Sequence, residues 1–142
     1  MRKMTREEYL GFISEGTRTG KLATINKDGS PHVVPIWFLV DGENLIFSTG
    51  LSSVKYKNME RDPRVCISVD EEKDLYSFAK IDGIAIFSND PESMLHWATR
   101  IAARYMGEDK AEEYGKRNSG KDETVVTVKP AKMVAYADVA GW

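Results

Sequence analysis

Thiols are almost absent from this sequence. Cys66 is the only cysteine in 142 residues, which excludes an intrachain disulfide framework and a cysteine-rich zinc site. Flanked by Val65 and Ile67, it reads as an inert strand thiol, and a reducing cytosol suits it. Histidine is nearly as scarce: His32 and His96 stand alone, with no carboxylate or thiol at metal-ligand spacing. No apolar run approaches the roughly 20 residues of a membrane-spanning helix, and the opening MRKMTREEYLGF lacks a signal peptide's apolar centre. The net charge of −2 gives no field that favours nucleic acid. There is no internal repeat, no Gly-rich dinucleotide fingerprint, no P-loop and no GxSxG elbow. The acidic residues sit mostly in turns and helix starts. Side-chain chemistry thus nominates no acid, base or nucleophile, so an enzymatic reaction here would be carried by a bound cofactor. The expectation is a cytoplasmic protein without nucleic-acid or membrane partners.

What is present is one domain's worth of chain, residues 1–142, with 42% hydrophobic content. Thr5 is placed to cap a short helix that Gly16 ends. KLATIN, from Lys21, alternates as a strand, and Asp28-Gly29 signals a hairpin. The next strand starts between Pro31 and Pro35 and is expected to continue through IWFLV to Val40. Asp41 to Asn44 turn the chain into a third strand, Leu45 to Thr49. A helix ends by Asp62, because the residue before Pro63 avoids helical geometry. Arg64–Asp70 and Tyr76–Ser88 read as strands, the latter bent at Asp82-Gly83. Pro91 opens the longest helix, Glu92–Met106, with Met94, Leu95, Ala98, Ile101, Ala102 and Tyr105 as its buried stripe. A short helix follows over Glu108–Lys116. The chain closes with ETVVTVKP and MVAYADVAGW, separated by Pro130. Six or seven strands in hairpin succession, without regular strand–helix alternation, predict a mainly β fold: an antiparallel barrel with peripheral helices.

The stretch Phe47–Val65, FSTGLSSVKYKNMERDPRV, best fits a phosphate. Ser48, Thr49, Ser52 and Ser53 offer hydroxyls. The first N–H groups of the following helix are unpaired at its positive end, and Lys55 and Lys57 add charge. The plain alternative is a capped surface helix with solvated lysines. His96, Arg100 and Arg104 share a helix face, readable either as a basic strip for an anion or as a solvated, salt-bridged face.

The order of motifs resembles the FMN-binding split-barrel superfamily, the pyridoxamine 5'-phosphate oxidase-like proteins. GKLATINKDGSPHVVPIWF resembles its opening hairpin and DGENLIFSTG its third strand. SSVKYKNMERDPRV resembles its Ser-x-Lys helix followed by Asp-Pro-Arg, and IDGIAIF a later strand. RIAARYMGEDKAEEY resembles the branch of deazaflavin (coenzyme F-420)-dependent reductases. The resemblance implies a split barrel and a homodimer holding FMN or the deazaflavin between subunits. Lys55 would contact the phosphate, with Ser53, Thr49, Ser48, Lys57 and Asn58 assisting. Pro35, Ile36 and Trp37 would line the ring, and Trp142 would reach the interface or the partner's site. The implied activity is hydride transfer between the cofactor and a small unsaturated substrate. Non-catalytic flavin, haem or tetrapyrrole binding is the alternative, with His32 or His96 as the imidazole. Pyridoxamine phosphate oxidation itself is not expected. That enzyme's second-strand Arg and Lys fall here among Val33, Val34, Trp37 and Phe38, the Arg before the helix lysine is Val54, and its C-terminal substrate-binding extension is missing.

Overall fold

Thr5 starts the first helix with a capping box: its side chain accepts the Glu8 N–H, and the Glu8 carboxylate accepts the Thr5 N–H. The computed structural model, which describes residues 1–141, runs in the order β1 (Arg2–Lys3), α1 (Arg6–Ser14), β2 (Gly20–Ile25), β3 (Pro31–Ile36), β4 (Leu39–Asp41), β5 (Asn44–Gly50), α2 (Val54–Arg61), β6 (Arg64–Asp70), β7 (Phe78–Ser88), α3 (Pro91–Met106), α4 (Glu108–Arg117) and β8 (Glu123–Ala137).

All pairings are antiparallel, and the strands hydrogen-bond in the order β3-β2-β6-β7-β8-β5-β4, with β1 added to β8. The two ends of that order, β3 and β4, are joined by Trp37 and Phe38 alone. From Ile36 to Leu39 the chain can reach only about 10 Å, so the sheet must curl until its edges meet there. The result is a barrel split between β3 and β4. Its interior is filled by Leu22, Phe38, Phe47, Met59, Ile67, Ile81, Val126 and Val128, all fully buried or nearly so.

Three expectations need correcting. The strand foreseen from Pro31 to Val40 breaks at Trp37–Phe38. Phe38 turns inward there, and its backbone leaves the ladder: the N–H donates to Tyr105 Oη at 3.2 Å, and the C=O accepts from Arg104 Nη1 at 2.6 Å. That break and the two-residue β1 raise the strand count to eight. Pro130 does not divide the final strand. β8 runs through it with a bulge, since Gly83 faces Pro130 while Asp82 faces Lys132. A side chain at Gly83 would come within 2.7 Å of the Lys129 carbonyl oxygen, so glycine is required where β7 and β8 press together. Leu95, assigned to the buried stripe of α3, is 44% exposed. Among the described residues, no helix is long and apolar enough to cross a membrane.

Candidate functional site

The turn from β5 into α2 is held by hydroxyls. Ser53 caps the helix: its Oγ accepts the Tyr56 N–H at 3.1 Å, donates to the Gly50 carbonyl at 2.8 Å and lies 3.0 Å from Thr49 Oγ1. A hydroxyl has one proton and two lone pairs. With the Ser53 proton on Gly50, Thr49 must donate to Ser53, which saturates the Ser53 oxygen. Thr49 is buried. Asn58 is 4% exposed and points inward, its amide donating to Thr24 Oγ1 at 3.0 Å and Asn26 Oδ1 at 2.9 Å while its oxygen accepts from Arg61. These three side chains build and anchor the turn and the helix. In this structure their polar groups are engaged within the chain. Lys57 is exposed, away from the cleft.

What the turn delivers is Lys55, in the first turn of α2. It lines a cleft of about 310 Å³. One wall is Pro35, Ile36 and Trp37, at the end of β3 and the strand break. Ala98 and Ile101 of α3 add to the apolar lining. The polar lining is Ser48 of β5, Lys55, Asn118 at the end of α4 and Glu123 at the start of β8. Five of the residues nominated from sequence therefore meet here: Pro35, Ile36, Trp37, Ser48 and Lys55. Lys55 forms no ion pair among the described residues. Sequence reasoning missed Glu123 and Asn118. Glu123 pairs with Gly50 across the β5–β8 ladder, a long-range contact with no local signal. Burial pushes the Glu123 carboxyl upward, Lys55 draws it back down, and Asp122 pushes it up again.

Trp37 is fixed from behind. Its ring stacks on Tyr105 of α3, whose hydroxyl donates to the Arg18 carbonyl at 2.8 Å. Arg104 is fixed likewise, its guanidinium donating to the carbonyls of Ile13, Gly16 and Phe38. So Arg104 belongs neither to an anion strip nor to a salt-bridged face: it ties α3 to α1 and to the strand break. His96 is exposed, edge-on to Trp97, and His32 lies on β3 opposite Thr24 with Nδ1 buried and unpartnered. Neither imidazole lines the cleft, so the haem alternative has no ligand there. Trp142 lies outside the described residues.

A split antiparallel barrel whose cleft pairs an apolar slot with a single helix lysine defines the class. The family described as pyridoxamine 5'-phosphate oxidase matches residues 5–135, and the chain belongs to that family. Among solved structures it is similar to a conserved hypothetical protein from Mycobacterium tuberculosis, with 26% identity, a TM-score of 0.84, and coverage of 95% of this chain and 86% of that one. It is also similar to an F-420 reductase, with 28% identity, a TM-score of 0.69, and coverage of 87% and 94%. An FAD-binding protein from Mesorhizobium loti, 18% identical over 94% of this chain and 93% of its own with a TM-score of 0.70, shares the fold.

Proposed function

We propose that the cleft binds a phosphate-bearing flavin or deazaflavin, FMN or coenzyme F-420, and that the protein is an oxidoreductase moving hydride between it and a small unsaturated substrate. One observation carries this reading: a slot with apolar walls at Pro35–Trp37 and at Ala98 and Ile101, and in the same cleft a lysine without an ion-pair partner among the described residues. A planar ring needs the first and a phosphate needs the second. The family match and the likeness to an F-420 reductase support it. When bound, the ring supplies the redox chemistry. The chain's own residues bind and orient it: Lys55 and Ser48 hold the phosphate end, Pro35 and Trp37 the ring. The Tyr105 stack keeps Trp37 from folding into the slot. Positioning of two rings against each other accounts for much of a rate.

We also propose a homodimer with the cofactor between subunits. Val33, Ala23 and Cys66 form one cross-strand row on the outer face of the barrel. Ile84 and Ile86 of β7 stand on the same face at 40% and 44% exposure, with Asp82 and Arg64 between them and Cys66, and exposed apolar side chains rimmed by polar ones mark partner surfaces. Pro35 shares the outward side of β3 with Val33 and lines the cleft, so the cleft is continuous with that face. Sedimentation at micromolar concentration gives a dimer on this reading, and a monomer contradicts it.

The cofactor reading is tested by parallel fluorescence titration of the purified protein with FMN and with the deazaflavin coenzyme. Tight FMN binding makes it a flavoprotein. Binding of the deazaflavin alone directs the search to unsaturated substrates. If neither binds below the high-micromolar range, the reading fails.

A further inference from the structure

Among the described residues, Glu123 is the only anionic side chain lining the cleft and Lys55 the only cationic one. They do not form an ion pair with each other. Glu123 is held in place by the ladder: it faces Gly50, and a side chain at Gly50 would stand 3.9 Å from Glu123 Oε1. Next to it, the Leu51 N–H donates to the Asp122 carbonyl at 2.8 Å. The carboxylate thus stands beside the turn that leads to Lys55. The charged groups acting on it are Lys55 from α2 and its sequence neighbour Asp122. A carboxylate at the mouth of an anion site is the opposite of what phosphate binding alone requires.

Desolvating an anion costs free energy that rises with the square of its charge. A terminal phosphate carries about −1.5 to −2 at neutral pH, whereas a phosphodiester carries a single charge. Lys55 supplies one positive charge against that cost, and Glu123 subtracts from it. Resting on the cofactor reading above, we infer that Glu123 makes this cleft selective for a singly charged phosphodiester over a doubly charged terminal phosphate. Coenzyme F-420 holds its phosphate in diester linkage, and FMN holds a terminal one. Glu123 therefore acts as the residue that discriminates between the two cofactor classes.

The test varies phosphate charge on a constant ring. FMN and the monomethyl ester of its phosphate are titrated at pH 8 and low salt into the full chain, into Glu123→Gln and into Glu123→Asp. The wild-type protein binds the ester more tightly than FMN. In Glu123→Gln both gain, and because the interaction scales with ligand charge, the gain for FMN is about the square of the gain for the ester, on the order of tenfold against threefold. Glu123→Asp keeps the charge and keeps the wild-type preference, which guards against a simple loss of fold. Equal gains for both ligands in Glu123→Gln, or a wild-type preference for FMN, overturn the inference while leaving the cofactor reading intact. If neither ligand nor the deazaflavin coenzyme binds to any of the three proteins, both fail together.

Discussion

Trp37 and Tyr105 stack face to face, ring centroids 5.2 Å apart and planes 4° from parallel. The pair joins the break in the sheet to α3, and it sets the wall of the cleft. The Tyr105 hydroxyl also accepts the Phe38 N–H, which has no ladder partner. Tyr105→Phe keeps the stack but leaves that N–H and the Arg18 carbonyl unsatisfied. It is expected to lower unfolding free energy by about 1–3 kcal/mol in urea titration while cofactor affinity stays within about threefold. Tyr105→Ala is expected to lose both, because the aromatic pair adds about 0.5–1.5 kcal/mol and fixes Trp37.

Ser53 separates a capping role from a binding role. Its hydroxyl is saturated by Gly50, Tyr56 and Thr49. Ser53→Ala should cost about 0.5–2 kcal/mol of stability, the range for a lost N-cap, with a much smaller effect on cofactor affinity than Lys55→Ala. Thermal unfolding and ligand titration on the same sample check both halves.

Arg104 and Arg100 sit one turn apart on α3 and are expected to respond in opposite ways. Arg104→Gln removes the donors to three backbone carbonyls, the exposed one of Gly16 and the part-buried ones of Ile13 and Phe38, and should destabilise by about 2 kcal/mol or more. Arg100 is exposed, and Arg100→Gln should fall within about 0.5 kcal/mol of wild type. Equal effects by chemical denaturation contradict the anchoring role given to Arg104.

Tyr9 is 4% exposed, and its hydroxyl is buried with no partner among the described residues. Burial first, and then Glu43, push its phenol up to about 12. The unfolded chain loses the phenolic proton near pH 10, before the folded chain does. The unfolded state therefore binds fewer protons above pH 10, and stability falls as pH rises from about 10 to about 12. Tyr9→Phe removes this alkaline loss. It also removes a buried hydroxyl without a hydrogen bond, so it is expected to leave stability unchanged or raise it by about 1 kcal/mol at neutral pH. Denaturant titrations at pH 7 and pH 11 measure both effects.

Local chemistry made most of the fold legible. The Thr5 cap, the Asp28-Gly29 turn, Pro91 at the start of α3 and the bend at Gly83 are short-range signals, and the structure contains all four. The break at Trp37–Phe38 was not legible, because PIWFLV reads as one strand. Arg104 and Tyr105, more than 60 residues away, accommodate the freed backbone of Phe38. The site divides the same way. Pro35–Trp37 and Lys55 follow from motif order, and they meet in one cleft. Glu123 joins them only through the β5–β8 pairing. Residue type offered Ser53 and Thr49 to a ligand, and the family resemblance added Asn58. Their hydrogen bonds show that polar groups near a helix start can be consumed by building it.

The central claim is that Lys55 anchors a phosphate. Lys55→Ala, titrated by fluorescence with whichever of FMN and the deazaflavin coenzyme binds the wild-type protein more tightly, tests it most directly. Lys55 has no hydrogen bond or ion pair to lose among the described residues, only its longer-range attraction to Glu123, so the variant should melt close to the wild type. Its affinity should fall by about 1.5–3 kcal/mol, the range for hydrogen bonds to charged groups, roughly ten- to a hundredfold. Unchanged affinity in a folded Lys55→Ala protein would contradict the assignment.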